Sequence, residues 1–138
     1  MSAAEFLDTN VLVYAYDQSD PRKQKIARGL VLRAVAGEIA ASSQVLGEFA
    51  STMLHKASPP VKPSDLGALL DTLGPIYLIP LDGDTVLRAV KAHAQYGLHF
   101  YDGLIIATAE RGGCERIWSE DLNAGQEYFG VRIENPFV

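Results

Sequence analysis

An α/β fold, with a mainly parallel central sheet of four to five strands and helices on both faces, is predicted by three observations. Short apolar runs alternate with amphipathic stretches along the chain, the order in which parallel strands are linked by covering helices. Four acids, Asp8, Glu48, Asp102 and Asp121, fall just after strands or in the early part of helices, at the edge where open α/β sheets bind ligands. The length of 138 residues, 48% hydrophobic and 21% charged, suits one domain over 1–138 whose core needs no disulfide or metal to fold.

The first strand is the apolar run around Phe6 and Leu7, closed at its carboxyl end by Asp8 just before the chain turns. A loop over 17–20 leads into a helix from about Arg22 to Ala36, with Asp20 as N-cap, Pro21 at the first position and Gly37 beyond the end. Ile26, Leu30, Val31 and Ala34 recur along it at helical spacing. Ile39-Ala40-Ala41 is a second strand, and Ser42 or Ser43 caps a helix that runs to about Lys56 and stops before Pro59-Pro60. Ser64 and Asp65 open a helix to about Leu73, whose Leu66, Leu69, Leu70 and Leu73 form a stripe read as core before interface. A third strand is expected over 76–79. Asp82 caps a helix to about Tyr96, and another helix follows over 101–111. Strands four and five are expected over 116–118 and 131–133.

Each of the four acids has a local explanation as well as a chemical one. A buried strand does not tolerate an ionised Asp8 without a partner, yet the same side chain would also cap whatever follows it. Glu48 lies opposite the apolar half of its helix, where a glutamate is commonly just solvated. Asp102 sits on a helix apolar around nearly its whole circumference; the helix dipole favours a first-turn acid by ~0.3–1 kcal/mol, less than the several kcal/mol that an unpaired buried charge costs. No Lys or Arg lies within a turn of it, so a metal is the economical partner. Asp121 follows the fourth strand in a loop of turn-forming residues, with Glu120 facing the other way if the chain stays extended. Thr9 and Ser119 place hydroxyls on the same edge, and Asn10 is placed to orient Asp8. Hard oxygen donors without a His or Cys cluster select Mg²⁺ or Mn²⁺ over zinc. His55, His93 and His99 have no ligand spacing, and Cys114 has no evident base.

A net charge of −5 argues at first against a nucleic-acid partner. Once the four site acids are set aside from 17, the balance with 12 bases is close to neutral, and bound cations would offset the rest locally. Arg22, Lys23, Lys25 and Arg28 offer one basic patch or, more commonly, a solvated helix face. A single cysteine, no charged leader and no apolar run long enough for a bilayer lead to the expectation of a soluble cytoplasmic chain without a membrane partner.

The segments Phe6-Leu7-Asp8-Thr9-Asn10-Val11-Leu12, Gln44-Val45-Leu46-Gly47-Glu48-Phe49, Tyr101 to Ala109 and Ser119-Glu120-Asp121-Leu122, in this order and spacing, closely resemble the PIN-domain family, above all the toxin subunits of VapBC toxin–antitoxin pairs. The resemblance extends over essentially the whole chain, including Asn135-Pro136-Phe137, with Ser119 where family members often carry Thr. It implies a PIN-like three-layer fold and an endoribonuclease in which Asp8, Glu48, Asp102 and Asp121 hold Mg²⁺ or Mn²⁺. It further implies a homodimer and a VapB-like antitoxin, through which alone operator DNA would be contacted. Two other readings stand beside it: a PIN-domain RNA-processing nuclease without an antitoxin, and a non-catalytic, Mg²⁺-binding receiver-like module that would use Asp82 after the third strand.

Overall fold

A computed structural model describes residues 3–138. The elements are β1 (Glu5–Leu7), α1 (Thr9–Tyr14), α2 (Pro21–Val35), β2 (Ile39–Ala40), α3 (Ser43–His55), α4 (Pro63–Thr72), α5 (Gly83–Tyr96), α6 (Phe100–Arg111), β3 (Arg116–Trp118), β4 (Glu127–Tyr128) and β5 (Val131–Glu134). The strands form one sheet in the order β2-β1-β3-β5-β4, parallel throughout except for the β4–β5 pair. β1 lies between β2 and β3, with Phe6 opposite Ala40 on one side and Ile117 on the other. Phe6, Leu7, Ile39, Ala40, Ile117 and Ile133 are buried, as a parallel sheet covered by helices requires. Among the described residues no helix is long and apolar enough to cross a membrane.

Local chemistry explains most element ends. Asp20 accepts the Lys23 amide (3.1 Å) to cap α2, Ser42 accepts the Val45 amide (3.3 Å) to cap α3, and Asp82 forms a reciprocal capping box with Thr85 on α5. Gly97, at φ 70°, ends α5 in the left-handed conformation, and α6 begins three residues later. Gly103 lets these two helices meet closely: a Cβ there would lie 3.0 Å from the Ala89 carbonyl oxygen. In the α4 stripe, Leu66 and Leu73 are buried and Leu69 and Leu70 pack against the core, so the stripe faces inward.

Three local features differ from expectation. The strand expected over 76–79 is reduced to a single parallel bridge between Ala41 and Leu78. Pro75 and Pro80 bracket the segment, and residues without an N–H at both ends cut a ladder short. Instead of turning irregularly after Asp8, the chain forms α1 at once, with Asp8 as its N-cap and Val11 and Leu12 buried beneath it. The sheet gains β4 through a two-residue hairpin at Phe129 and Gly130, both with positive φ (50° and 79°), the backbone that suits the twist of a tight hairpin. Phe129 is an unusual residue for that position and is held by tertiary contacts. Its amide donates to the Tyr96 hydroxyl (3.0 Å), and the Arg88 guanidinium lies 3.6 Å over its ring.

Candidate active site

Asp8 is placed by the end of β1. Its amide donates to the Trp118 carbonyl (3.1 Å), the last rung towards β3, and its side chain then turns into the edge of the sheet. One carboxylate oxygen, Oδ1, accepts the Thr9 amide (2.7 Å) and so caps α1; Oδ2 accepts the Ser119 hydroxyl (2.7 Å) and the Asn10 amide group (3.2 Å). The side chain is therefore a cap and, with its other oxygen, a member of a polar network. Only 7% of Asp8 is exposed and no Lys or Arg pairs with it among the described residues. Burial pushes its carboxyl up to about 6 from 3.8; the Ser119 and Thr9 hydrogen bonds oppose the rise, while the charges of Asp121 and Glu48 add to it.

Asp121 reaches the same edge from the loop after β3. The Ser119 hydroxyl oxygen, buried, accepts the amides of Asp121 (3.2 Å) and Leu122 (3.3 Å), so one side chain both shapes the loop and donates to Asp8. Asn10 ties the two segments together. Its Nδ2 approaches Asp8 Oδ2, Asp121 Oδ2 (both 3.2 Å) and Ser119 Oγ (3.3 Å), and its Oδ1 accepts the Glu120 amide (2.9 Å).

Two helices supply the opposite wall. Glu48 on α3 is held at both oxygens, Oε1 by the Thr9 hydroxyl (2.7 Å) and Oε2 by the Gln44 amide (3.3 Å). Gln44, one turn before Glu48, also donates to the Tyr101 carbonyl (3.1 Å) and thereby links α3 to the start of α6. Its Oε1 is buried without a partner. Asp102, in the first turn of α6, is half-buried and accepts no hydrogen bond among the described residues. Burial raises its carboxyl above the ordinary range, with His99 opposing and Asp121 and Glu48 reinforcing.

All four acids line one cleft of about 540 Å³, together with Asp17 and Glu120. Lys56 is the single basic side chain on its lining among the described residues. The chain bends after β3 rather than staying extended, so Glu120 lines the same cleft as Asp121, but its carboxylate is engaged elsewhere, accepting the Tyr14 hydroxyl (2.7 Å) and pairing with Lys23. Thr9, Asn10 and Ser119, expected as supporting groups, each bond to a site carboxylate. Gln44 was missed, although its i−4 spacing from Glu48 is a usable signal; Tyr14 and Lys23 were missed because their partner lies about a hundred residues away.

Several other polar residues are accounted for elsewhere. Asp82 caps α5, pairs with Arg111 (2.6 Å) and does not line the cleft of the four acids. Three of the four bases on α2 are engaged: Lys23 pairs with Glu120, Arg22 donates to the Phe137 carbonyl (2.6 Å) and Arg28 to that of Ala15 (3.0 Å), while Lys25 is exposed. His99 caps α6, His93 bonds the Leu98 carbonyl (2.6 Å), and Cys114 is buried with its thiol against the Ala3 carbonyl (3.4 Å).

As the side chains stand, no three His, Cys, Asp or Glu among the described residues are grouped closely enough to hold a metal ion. Neutral donors separate the carboxylates instead: Asn10 lies between Asp8 and Asp121, and Thr9 beside Glu48. The donor set still fits a hard divalent cation, because it is all oxygen and its buried member, Asp8, has no cationic side chain to balance it.

Comparison with known proteins places this architecture. The PIN domain is matched over residues 6–126. The chain is similar in fold to a solved structure of FitAB bound to an IR36 DNA fragment (TM-score 0.66, 18% identity, 97% of this chain and 96% of that one). It is similar to VapBC2 from Rickettsia felis bound to a DNA fragment from their promoter (TM-score 0.65, 22% identity, 95% and 97% covered) and to FitAcB from Neisseria gonorrhoeae (TM-score 0.61, 18% identity, 96% and 98% covered). No curated protein sequence matches.

Proposed function

The chain belongs to the PIN-domain family, a family of nucleases, and from that premise we propose that it is a Mg²⁺- or Mn²⁺-dependent endoribonuclease acting as the toxin of a toxin–antitoxin pair. The observation that carries the reading is the convergence of Asp8, Glu48, Asp102 and Asp121 on one cleft, with the most buried of them lacking a basic partner among the described residues.

In this reading Asp8, Glu48 and Asp102 hold the principal cation, and Asp121 holds a second or positions the attacking water. A bound divalent cation supplies a more acidic water and offsets charge developing on the phosphoryl oxygens. The chain's part is to hold the carboxylates where that chemistry needs them. Ser119 and Asn10 fix Asp8, Thr9 and Gln44 fix Glu48, and α6 presents Asp102 from the facing wall. Water adds across the bond between phosphorus and the 3′-oxygen, leaving a 5′-phosphate on one product and a 3′-hydroxyl on the other.

The toxin assignment draws support from neighbours that are complexes named FitAB and VapBC2, both with DNA. By analogy this chain pairs with a VapB-like antitoxin in the cytoplasm, touches operator DNA only through it, and works as a homodimer of one nuclease domain over 1–138. Val86, Leu87 and Val90 give α5 an exposed apolar face that suits the dimer.

The test is incubation of total RNA with the purified chain and Mg²⁺ or Mn²⁺, with EDTA and Asp8→Asn as controls. Discrete cuts with 5′-phosphate ends are expected, lost with EDTA and reduced roughly a thousandfold in the variant. Metal-independent cutting, or full activity in Asp8→Asn, overturns the reading. Cutting without growth arrest on expression, and without an antitoxin gene alongside, moves the assignment to an RNA-processing nuclease.

A further inference from the structure

We propose that Lys23 is a positioning residue for the cation site, because its ion pair with Glu120 clamps the loop after β3 in the register that turns Asp121 into the cleft. The inference rests on the metal-dependent reading above. Glu120 and Asp121 are neighbours in the bend after β3, so anchoring Glu120 by its side chain and its amide fixes the backbone from which Asp121 projects into the cleft.

Glu120 is held on three sides. Its Oε1 accepts the Tyr14 hydroxyl (2.7 Å), its Oε2 pairs with the Lys23 ammonium, and its backbone amide donates to Asn10 Oδ1 (2.9 Å). Lys23 is itself confined, its ammonium 4.8 Å from the ring centre of Tyr14 and 5.4 Å from that of Phe137. Phe137 is buried, meets Tyr14 edge-on at 5.0 Å, and has its carbonyl bound by Arg22. The clamp therefore joins α1, α2 and the C-terminal segment to a loop of the site. Asp121 needs such support, since it is exposed and its side chain is held by Asn10 alone among the described residues. Glu120 also lines the cleft, so a Glu120 released from Lys23 becomes one more carboxylate competing with Asp121 for a cation.

Positioning and simple electrostatics predict opposite signs. Deleting a positive charge beside a cation site strengthens cation binding if charge alone matters. It weakens binding if the charge serves to hold a ligand loop. The experiment is calorimetric titration of the full chain with Mn²⁺ alone, with metal-free melting temperature as a check on folding. Lys23→Met is expected to weaken Mn²⁺ binding about tenfold, at the low end for residues that orient metal ligands. Lys23→Arg is expected to keep the wild-type affinity. Tyr14→Phe removes one contact to Glu120 without changing charge and is expected to weaken binding by a smaller factor.

A Lys23→Met chain that binds Mn²⁺ as tightly as the wild type, or more tightly, overturns the inference. Should that variant melt early, Tyr14→Phe decides alone, and an unchanged affinity there overturns it too. A wild-type chain that binds no Mn²⁺ overturns the metal-dependent reading itself, a failure seen before any variant is made.

Discussion

The two walls of the cleft are built on different principles. At the strand ends Asp8 and Asp121 are cross-braced: Asn10 touches both, Ser119 touches Asp8 and the backbone of the Asp121 loop, and Asp8 also caps a helix. On the helical side Glu48 is held by two side chains and Asp102 by none among the described residues. A carboxylate fixed by several hydrogen bonds is a preorganised ligand, and a carboxylate on a helix face is free to change rotamer as a cation arrives. In the proposed metal-dependent reading, the strand wall would set where a cation sits and the helix wall would complete its coordination.

The largest consequence of this asymmetry is a pH effect at Asp8. Its carboxyl titrates at about 6 in the folded chain against 3.8 ordinarily, so between these values the native state binds more protons than the unfolded one. The metal-free fold therefore has its full contribution from this group below about pH 4 and loses up to about 3 kcal/mol as the pH rises through about 6. Denaturant unfolding of wild type and Asp8→Asn, compared from pH 4 to pH 7 without metal, should show wild type losing ground steadily against the variant. A constant difference would break the account of Asp8 as a desolvated acid. The ion pairs of Glu5, Asp82 and Glu120, whose carboxyls are held below the ordinary range, act in the opposite sense in both proteins and cancel in the comparison.

A smaller effect is expected at the brace. Asn10→Ala removes donors to both Asp8 and Asp121 and should weaken Mn²⁺ binding by about ten- to a hundredfold in calorimetry. The smallest is expected on the helical wall. Gln44→Ala leaves Glu48 bonded to Thr9 and removes a buried unpartnered oxygen at the same time, so Mn²⁺ affinity should fall only about threefold, or ~0.6 kcal/mol. Equal losses for Asn10→Ala and Gln44→Ala would erase the distinction between the walls.

The contrast between walls also explains what was readable beforehand. The helices α2, α3, α5 and α6 are signalled by caps, terminal glycines and 3.6-residue apolar spacing, all of which are local. Strands β1, β2, β3 and β5 follow from short apolar runs between those helices. The expected strand over 76–79 has the right side chains but is bracketed by Pro75 and Pro80, and β4 depends on a Phe129 turn stabilised by Tyr96 and Arg88 from another element. The two prolines stand in the sequence itself, whereas the Phe129 turn draws on Tyr96 and Arg88, residues distant in sequence.

The sequence by itself determined the α/β order, the approximate boundaries of α2 to α6 and the four acids as candidates, because caps, periodicity and an acid in an apolar run are properties of neighbouring residues. Only the tertiary structure decided which groups hold those acids. Asn10 and Ser119 are 109 residues apart, Lys23 and Glu120 are 97 apart, and Thr9 meets Glu48 across 39. No local pattern encodes such pairings; they follow from the sheet order β2-β1-β3, which sets the ends of β1 and β3 side by side and brings both loops to a single edge.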